Sequence, residues 1–355
     1  MKDEIMKFLN ANIDEKSDLV NLLYSMRQKN LVYNYDFLYF SNKNEQATPV
    51  IYNHPDGWIY TNDNQSASIG FDQQNGCCVI KTGPGTNQMI FSQALHEFPD
   101  WERKLKGQTI TAIAHMNLSG SSDTKVNLTL SDGIKEKTSS IKTIGNVEVR
   151  VEIEVDNNAT GLVLRIESTT PSAVININKV YANIGLIAIE SLQCIVTGVI
   201  GERKQYVATE NAPAEELSLC NESKELSINN TRLHSVLNKR FGSGSNGMSL
   251  LPDMRGYFSR SWDNGASIDP DASTREKLGL GNITGDHVGT VEEDIFYEHL
   301  HSLSFSPTNI LPGKDGAAKG VVSMDTKTAK TGAEDKSGKE TRPKNIFELF
   351  TIKWA

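Results

Sequence analysis

Cysteine is scarce in this chain. Cys77, Cys78, Cys194 and Cys220 are the only four in 355 residues. Their spacing fits neither a disulfide framework nor a zinc knuckle, so they read as buried or idle thiols. Long apolar runs are lacking too: none approaches the roughly 20 residues that span a bilayer, and no membrane insertion is expected. The opening Met1-Lys-Asp-Glu-Ile-Met-Lys lacks the basic-then-apolar order of a signal peptide, which points to synthesis in a cytoplasm. Positive charge is in deficit, 36 Lys and Arg against 44 Asp and Glu, for a net charge of -8. Phosphate affinity comes from clustered Lys and Arg, so nucleic acid is not an expected partner. Catalytic signatures are missing as well. There is no G-x-S-x-G, no H-E-x-x-H and no cysteine with a plausibly paired histidine, and the repeated short strands of a β-helical depolymerase are not found. The expectation is a protein that is not an enzyme, although a carboxylate pair of the glycosidase kind could be drawn from the 44 acids.

What is present is a β-rich, turn-rich composition, with 38% hydrophobic residues and 27 glycines, long enough for two or three domains. Residues 1–45 read as a helical attachment segment. Ile5, Phe8 and Leu9 recur at helical spacing, Asn10-Ala-Asn12 interrupts, and Ser17 is placed to cap a second helix with Leu19, Leu22, Leu23 and Met26 on its apolar face. Such helices dock on a neighbouring domain, join a trimer or attach to a baseplate. The aromatic-dense Leu31 to Phe40 stretch reads as a first strand.

Residues 46–190 carry the pattern of an antiparallel β-sandwich. Val147, Val149, Val151, Ile153 and Val155 alternate with Glu148, Arg150, Glu152 and Glu154, placing one face in a core and one in water. Further strands are expected at Thr109 to Met116, Lys125 to Leu130, Gly161 to Glu167 and Ala173 to Ile187, with a helical or irregular segment from Phe91 to Leu105. Trp58, Tyr60 and Trp101 are the candidate sugar-stacking rings, with Asp63, Asn64 and Gln65 as polar partners; against this, a tryptophan in a sandwich is more often core than platform. His54 and His115 are expected to satisfy local backbone groups.

Beyond Val199, two motifs fail on context. Gly242-Ser-Gly-Ser-Asn-Gly247 spells G-x-G-x-x-G, but the dinucleotide fingerprint needs a preceding strand and a following helix, whereas a helix over Leu233 to Phe241 precedes and Leu251-Pro252 follows. Asp269-Pro-Asp-Ala-Ser273 starts like a calcium loop, but Thr274 and Leu280 stand where it needs Gly and Glu. Asp253 and Arg255 in Leu251-Pro-Asp-Met-Arg-Gly256 are placed for a local or inter-chain ion pair, and Arg260, Trp262, Asp263 and Asn264 form a turn that holds its region together.

Four segments carry a family resemblance: Leu251 to Gly256, Ser261-Trp-Asp-Asn-Gly265, His299-Leu-His301 and Glu340-Thr-Arg-Pro-Lys-Asn345. With Gly198-Val-Ile-Gly201, Ala212-Pro213 and Leu217-Ser-Leu-Cys220 upstream, residues 197–355 resemble the phage tail-collar family and the short tail fibres of contractile-tailed phages. The sandwich, entered at Gly57-Trp-Ile-Tyr60 and left at Val180-Tyr-Ala-Asn-Ile-Gly185, is similar in pattern to jelly-roll carbohydrate-binding modules. The fold expected is therefore mainly β: short N-terminal helices, an antiparallel jelly-roll-like sandwich, a collar domain over 191–265, and an elongated, intertwined homotrimeric tip over 266–355.

The resemblance implies a trimeric adhesin of a virion tail, held to a baseplate or tail protein by its N-terminus and binding a bacterial surface glycan or lipopolysaccharide. A capsule-degrading tailspike and a fibre of a tailocin or contractile injection system are the alternatives. His299 and His301, at i and i+2 on an extended segment, point to one side, and three such pairs about a trimer axis would give six imidazole nitrogens. Six ligands favour structural Fe(II) over Zn, which prefers four, and leave no open position for hydrolysis. Arg342 belongs to the same tip motif. Between them, Lys314 to Lys339 is poor in large apolar residues. Basic residues outnumber acidic ones nine to six over 314–353, so Lys314, Lys319, Lys327 and Lys330 are candidate receptor contacts. Phe347, Leu349, Phe350, Ile352 and Trp354 read as a final strand returning into the trimer core.

Overall fold

The computed structural model describes residues 13–42, 54–62, 66–85, 88–293 and 346–355. Met1–Val291 and Glu348–Ala355 belong to one compact unit and Glu292–Phe347 to another; nearly all described residues lie in the first. The architecture is mainly β and antiparallel throughout its named sheets.

Ten strands build the sandwich: β1 (Ile59–Asn62), β2 (Ser68–Asp72), β3 (Cys77–Lys81), β4 (Met89–Ala94), β5 (Thr109–Ser119), β6 (Lys125–Ser131), β7 (Glu136–Lys142), β8 (Gly145–Glu154), β9 (Val163–Ser168) and β10 (Val174–Ile184). One sheet has the order β1-β4-β9-β6-β7 and the other β2-β3-β10-β5-β8. The chain crosses between layers at most connections, which is the jelly-roll arrangement. Alternation puts one side of every strand into a shared core. Ile110, Ala112, Ala114, Met116 and Leu118 of β5 meet Leu128 and Leu130 of β6, Leu164 and Ile166 of β9, and Met89 and Phe91 of β4. Edge strand β8 keeps its valines buried or half-buried and its charges in water, and such charges guard an edge against further pairing.

In β10 the inward positions change phase, from Ile175 and Ile177 to Val180 and Ala182. The register slips between Ile177, opposite Met116, and Lys179, opposite His115. A bulge inserts one residue, and the apolar set stays in the core although the sequence breaks period two.

Three expectations are corrected. Leu31 to Phe40 is not a strand: Asn34 and Phe37 have φ of 53° and 60°. The Asn34 amide binds the Tyr39 and Asp56 carbonyls, and its oxygen accepts from Tyr39 N–H, curling the segment into buried turns. Phe91 belongs to β4, and the helical segment shrinks to α2, Trp101–Leu105. The described N-terminal helix, α1 (Ile13–Ser25), runs through Ser17 instead of starting there.

A second core follows the sandwich, formed by Val196, Ile200, Leu219, Leu226, Leu233, Leu237, Phe241, Leu251 and Ile352 with Tyr33 from the N-terminal turns. It is framed by β11 (Arg203–Tyr206), β12 (Glu216–Ser218), α3 (Thr231–Leu237) and β15 (Leu349–Lys353), while β13 (Glu276–Lys277) and β14 (Thr290–Val291) form a small hairpin. The closing strand is where the sequence places it. Its partners are in the same chain, with Thr351 opposite Lys204 on one side and Ser218 on the other.

The two cores are joined through buried polar groups. Glu97, in the loop after β4, accepts hydrogen bonds from the backbone N–H of Thr231 and Arg232 and from the Thr231 hydroxyl, so it closes the start of α3 from outside the helix. Fully buried Arg232 donates to the carbonyls of Glu97 and Leu31. At Gly57, φ is +82° and an added Cβ would lie 2.7 Å from the Tyr33 ring, so the chain passes there only as glycine.

Candidate functional site

Of the three candidate rings, only Trp101 lines an open surface. It begins α2, preceded by Asp100 in the left-handed conformation at φ 59° and anchored by buried Leu105. Together with Asp100, Glu102, Arg103 and Lys106 it borders a shallow, open hollow on the surface. The ring is half-buried and fixed from two sides. His96 meets it edge-on at 5.1 Å between centroids, and the Lys106 ammonium lies 5.5 Å over it. His96 is itself held to Leu162 through Nδ1, which accepts from the Leu162 N–H in one tautomer and donates to the Leu162 carbonyl in the other, and Gly161 lets the ring in, since a Cβ there would come within 2.9 Å of the imidazole. Burial lowers the His96 pKa and keeps the ring neutral. The exposed pair Arg103–Asp100 at 3.4 Å and the pair of half-buried Lys106 with Glu102 at 3.6 Å stand around the indole. A half-exposed indole beside loosely held donors and acceptors can take up a ligand with both C–H faces and hydroxyls, because the electron-rich face of the ring attracts C–H groups and surface ion pairs yield their partners at little cost. The charges flanking the tryptophan in Asp100-Trp-Glu-Arg-Lys-Leu-Lys106 were the available sequence signal for Asp100, Glu102 and Lys106, which the sequence pattern alone did not single out.

Trp58 is a correction. Its side chain is fully buried, stacked on Phe91 at 4.5 Å and 6° and donating its indole N–H to the Asn34 carbonyl, so no face is open to a sugar. Tyr60 lies opposite Phe91 on β1 and packs against the main core, which places it among structural rings. Asp63, Asn64 and Gln65 lie outside the described residues. His54 approaches the Pro55 carbonyl, while His115 stacks on Tyr181 and shares a 3.1 Å hydrogen bond with its hydroxyl.

A second polar surface occupies the outer side of the first sheet. Arg165 pairs with Glu136 and, at 3.3 Å, with Glu167; Thr129 donates to Glu167 at 3.0 Å; the Ser140 hydroxyl donates to Asn127 at 2.7 Å. These groups already satisfy one another across the strands, so a ligand would have to displace bonds. The Trp101 hollow demands less.

In the C-terminal region Arg255 makes a bidentate pair with Asp253, the local alternative of the two expected. Trp262 is partly exposed and donates its indole N–H to the Asp286 carbonyl, and Asp263 accepts from the N–H groups of Ser267, Ile268 and Asp269. Asp269 is taken by Arg275 and Arg260 rather than left for a cation, and α3 precedes the Gly242 to Gly247 turn, as the rejection of both false motifs requires. His299, His301, Lys314, Lys319, Lys327, Lys330 and Arg342 lie outside the described residues. Among the described residues no group of three or more His, Cys, Asp or Glu side chains could hold a metal, the four cysteines are free, and no helix is long and apolar enough to cross a membrane.

Comparison with known proteins gives partial likenesses. No protein-family model matches the chain. Protein RhiB of Rhizobium leguminosarum bv. viciae is 31% identical over 126 residues, covering 34% of this chain and 56% of RhiB, so the chain spans little more than half the length of this curated relative. Among solved structures, the carbohydrate-binding module TmCBM61 in complex with β-1,4-galactotriose is 14% identical, with a TM-score of 0.29 over 43% of this chain and 97% of the module. The CBM22-1 and GH10 modules of Clostridium thermocellum xylanase 10B, complexed with xylohexaose, are 11% identical, with a TM-score of 0.32 over 46% of this chain and 30% of theirs. The enzymatically active domain of bacteriophage CBA120 tailspike protein 4 is 12% identical, with a TM-score of 0.30 over 44% of this chain and 21% of its own.

Proposed function

We propose that this chain is a non-enzymatic, glycan-binding adhesin, the subunit of a homotrimeric tail fibre that attaches a phage to a bacterial surface. The observation that carries the glycan part is the hollow at Trp101, an indole fixed by His96 and Lys106 with Asp100, Glu102 and Arg103 around it. The fibre part rests on the resemblance of residues 197–355 to tail-collar and short-tail-fibre sequences. In this reading the N-terminal segment joins a baseplate or tail protein, His299 and His301 hold structural Fe(II) or Zn shared by three chains, and Lys314, Lys319, Lys327 and Lys330 face anionic groups of lipopolysaccharide. A curated relative from a bacterium, RhiB, favours a second setting: the same fibre carried by a tailocin or contractile injection particle.

The test is a bacterial glycan array probed with wild-type protein and Trp101→Ala. Deleting a central aromatic contact is expected to cost about 2 kcal/mol or more, a loss of at least roughly thirtyfold in affinity. The far-UV spectrum should not change, since only a rim residue is removed. Equal binding by the variant would move the site elsewhere. Release of oligosaccharides from host polysaccharide would replace an adhesin with a depolymerase.

A further inference from the structure

Three Asn-Gly pairs occur in the chain, Asn75-Gly76, Asn246-Gly247 and Asn264-Gly265, and all six residues are exposed. In such a pair the glycine nitrogen can attack the preceding carboxamide carbon, because no side chain on the glycine obstructs the approach. The attack requires that nitrogen to lose its proton. What separates the three pairs is therefore the group that accepts each glycine N–H. For Gly76 it is the Asp72 carbonyl at 2.8 Å, and for Gly247 the Gly244 carbonyl at 3.2 Å. For Gly265 it is a carboxylate: Asp286 Oδ2 accepts at 2.7 Å. A peptide carbonyl holds an N–H without taking its proton, whereas a carboxylate within hydrogen-bond reach meets the geometric requirement for a general base.

The surroundings hold this carboxylate in place. Its other oxygen, Oδ1, faces the Arg275 guanidinium at 3.4 Å, and the Asp286 backbone carbonyl accepts from the Trp262 indole at 3.1 Å. Asp286 is half-buried, while the asparagine beside it stands in water. Asn75 differs on the side of the attacked group as well: its carboxamide donates to Asp72 Oδ2 at 2.7 Å, which ties that group down. Exposure is common to all three pairs, so the base at Gly265 is what sets Asn264 apart.

We propose that Asn264 is a self-modification site at which Asp286 is the base that converts the carboxamide to a carboxylate. The Asp286 carboxylate takes the Gly265 N–H proton, the nitrogen bonds to Asn264 Cγ, the Cγ–Nδ2 bond breaks, and the proton goes to the departing nitrogen, which leaves as ammonia. Water then opens the cyclic imide at either carbonyl, giving aspartate or isoaspartate. The product adds a negative charge to the turn in which Asp263 binds the N–H groups of Ser267, Ile268 and Asp269. The turn carrying Trp262 thus changes charge with the age of the protein. The test incubates the full-length protein at neutral pH and follows all three asparagines by peptide mass spectrometry, reading the mass change from amide to acid and resolving the isoaspartate isomer. Asn264 is expected to convert at least about tenfold faster than Asn75 and Asn246, a fraction of what a positioned base supplies. Asp286→Asn, with its fold checked by circular dichroism, should slow Asn264 to the level of the other two, and in urea the three wild-type rates should converge. Conversion of Asn264 no faster than the others in folded wild-type protein would overturn the proposal, whether or not the variant folds. An unchanged rate in folded Asp286→Asn, or a difference that persists in urea, would overturn it as well.

Discussion

Trp58 and Trp101 show how two identical side chains divide between fold and site. Trp58 follows Gly57 and is drawn inward by Phe91 and Phe37; Trp101 opens a five-residue helix whose only buried member is Leu105, so its ring stays at the rim. Residue type alone cannot distinguish these fates, because both rings sit among polar and turn residues in the sequence. The buried histidines were equally hidden. His54 and His234 lie in the joined cores, and burial lowers each from 6.5 to about 4. The unfolded chain therefore takes up protons between about pH 6.5 and 4 that the folded chain refuses. Their contribution is complete above the unfolded value and is lost as pH falls toward 4, by up to about 3 kcal/mol for each ring. Urea midpoints measured from pH 7 to 4.5 should fall steadily with acidification, and double replacement by Gln, if folded, should flatten that fall.

Among the elements, β8 was legible almost residue by residue, because a strict alternation of valine and charge has one solution in a half-exposed sheet. The Leu31 to Phe40 segment was not, because positive φ at Asn34 and Phe37 is invisible in composition, and the phase change in β10 needs the bulge to make sense of it. Nor could the sequence show that Glu97 and α3, more than 130 residues apart, share one capping arrangement. Replacing Glu97 by Ala would leave three donors at the start of α3 unmet and remove the charge nearest buried Arg232, whose ionisation burial already opposes. The expected loss is at least about 1–3 kcal/mol, the cost of leaving a buried donor unsatisfied, measurable by denaturant unfolding. A loss under about 1 kcal/mol would mean that water takes over those bonds.

For the whole molecule, the sandwich was readable as a mainly β, antiparallel domain, and the described structure agrees. The trimer and its metal come from a resemblance and call for measurement. Protein purified without chelator or tag is expected to hold one iron or zinc per three chains, in a particle of three times 39.2 kDa. Joint replacement of His299 and His301 by Ala should abolish the metal and lower the melting temperature; unchanged metal content would remove these residues from the assignment.

The pairing of β15 with β11 and β12 has an evolutionary consequence. Glu292–Phe347 form a unit of their own, and the strand that follows it, β15, is paired on both sides within the first unit. Recombination near these two boundaries would exchange the intervening stretch as a cassette while β11, β12 and β15 are inherited together.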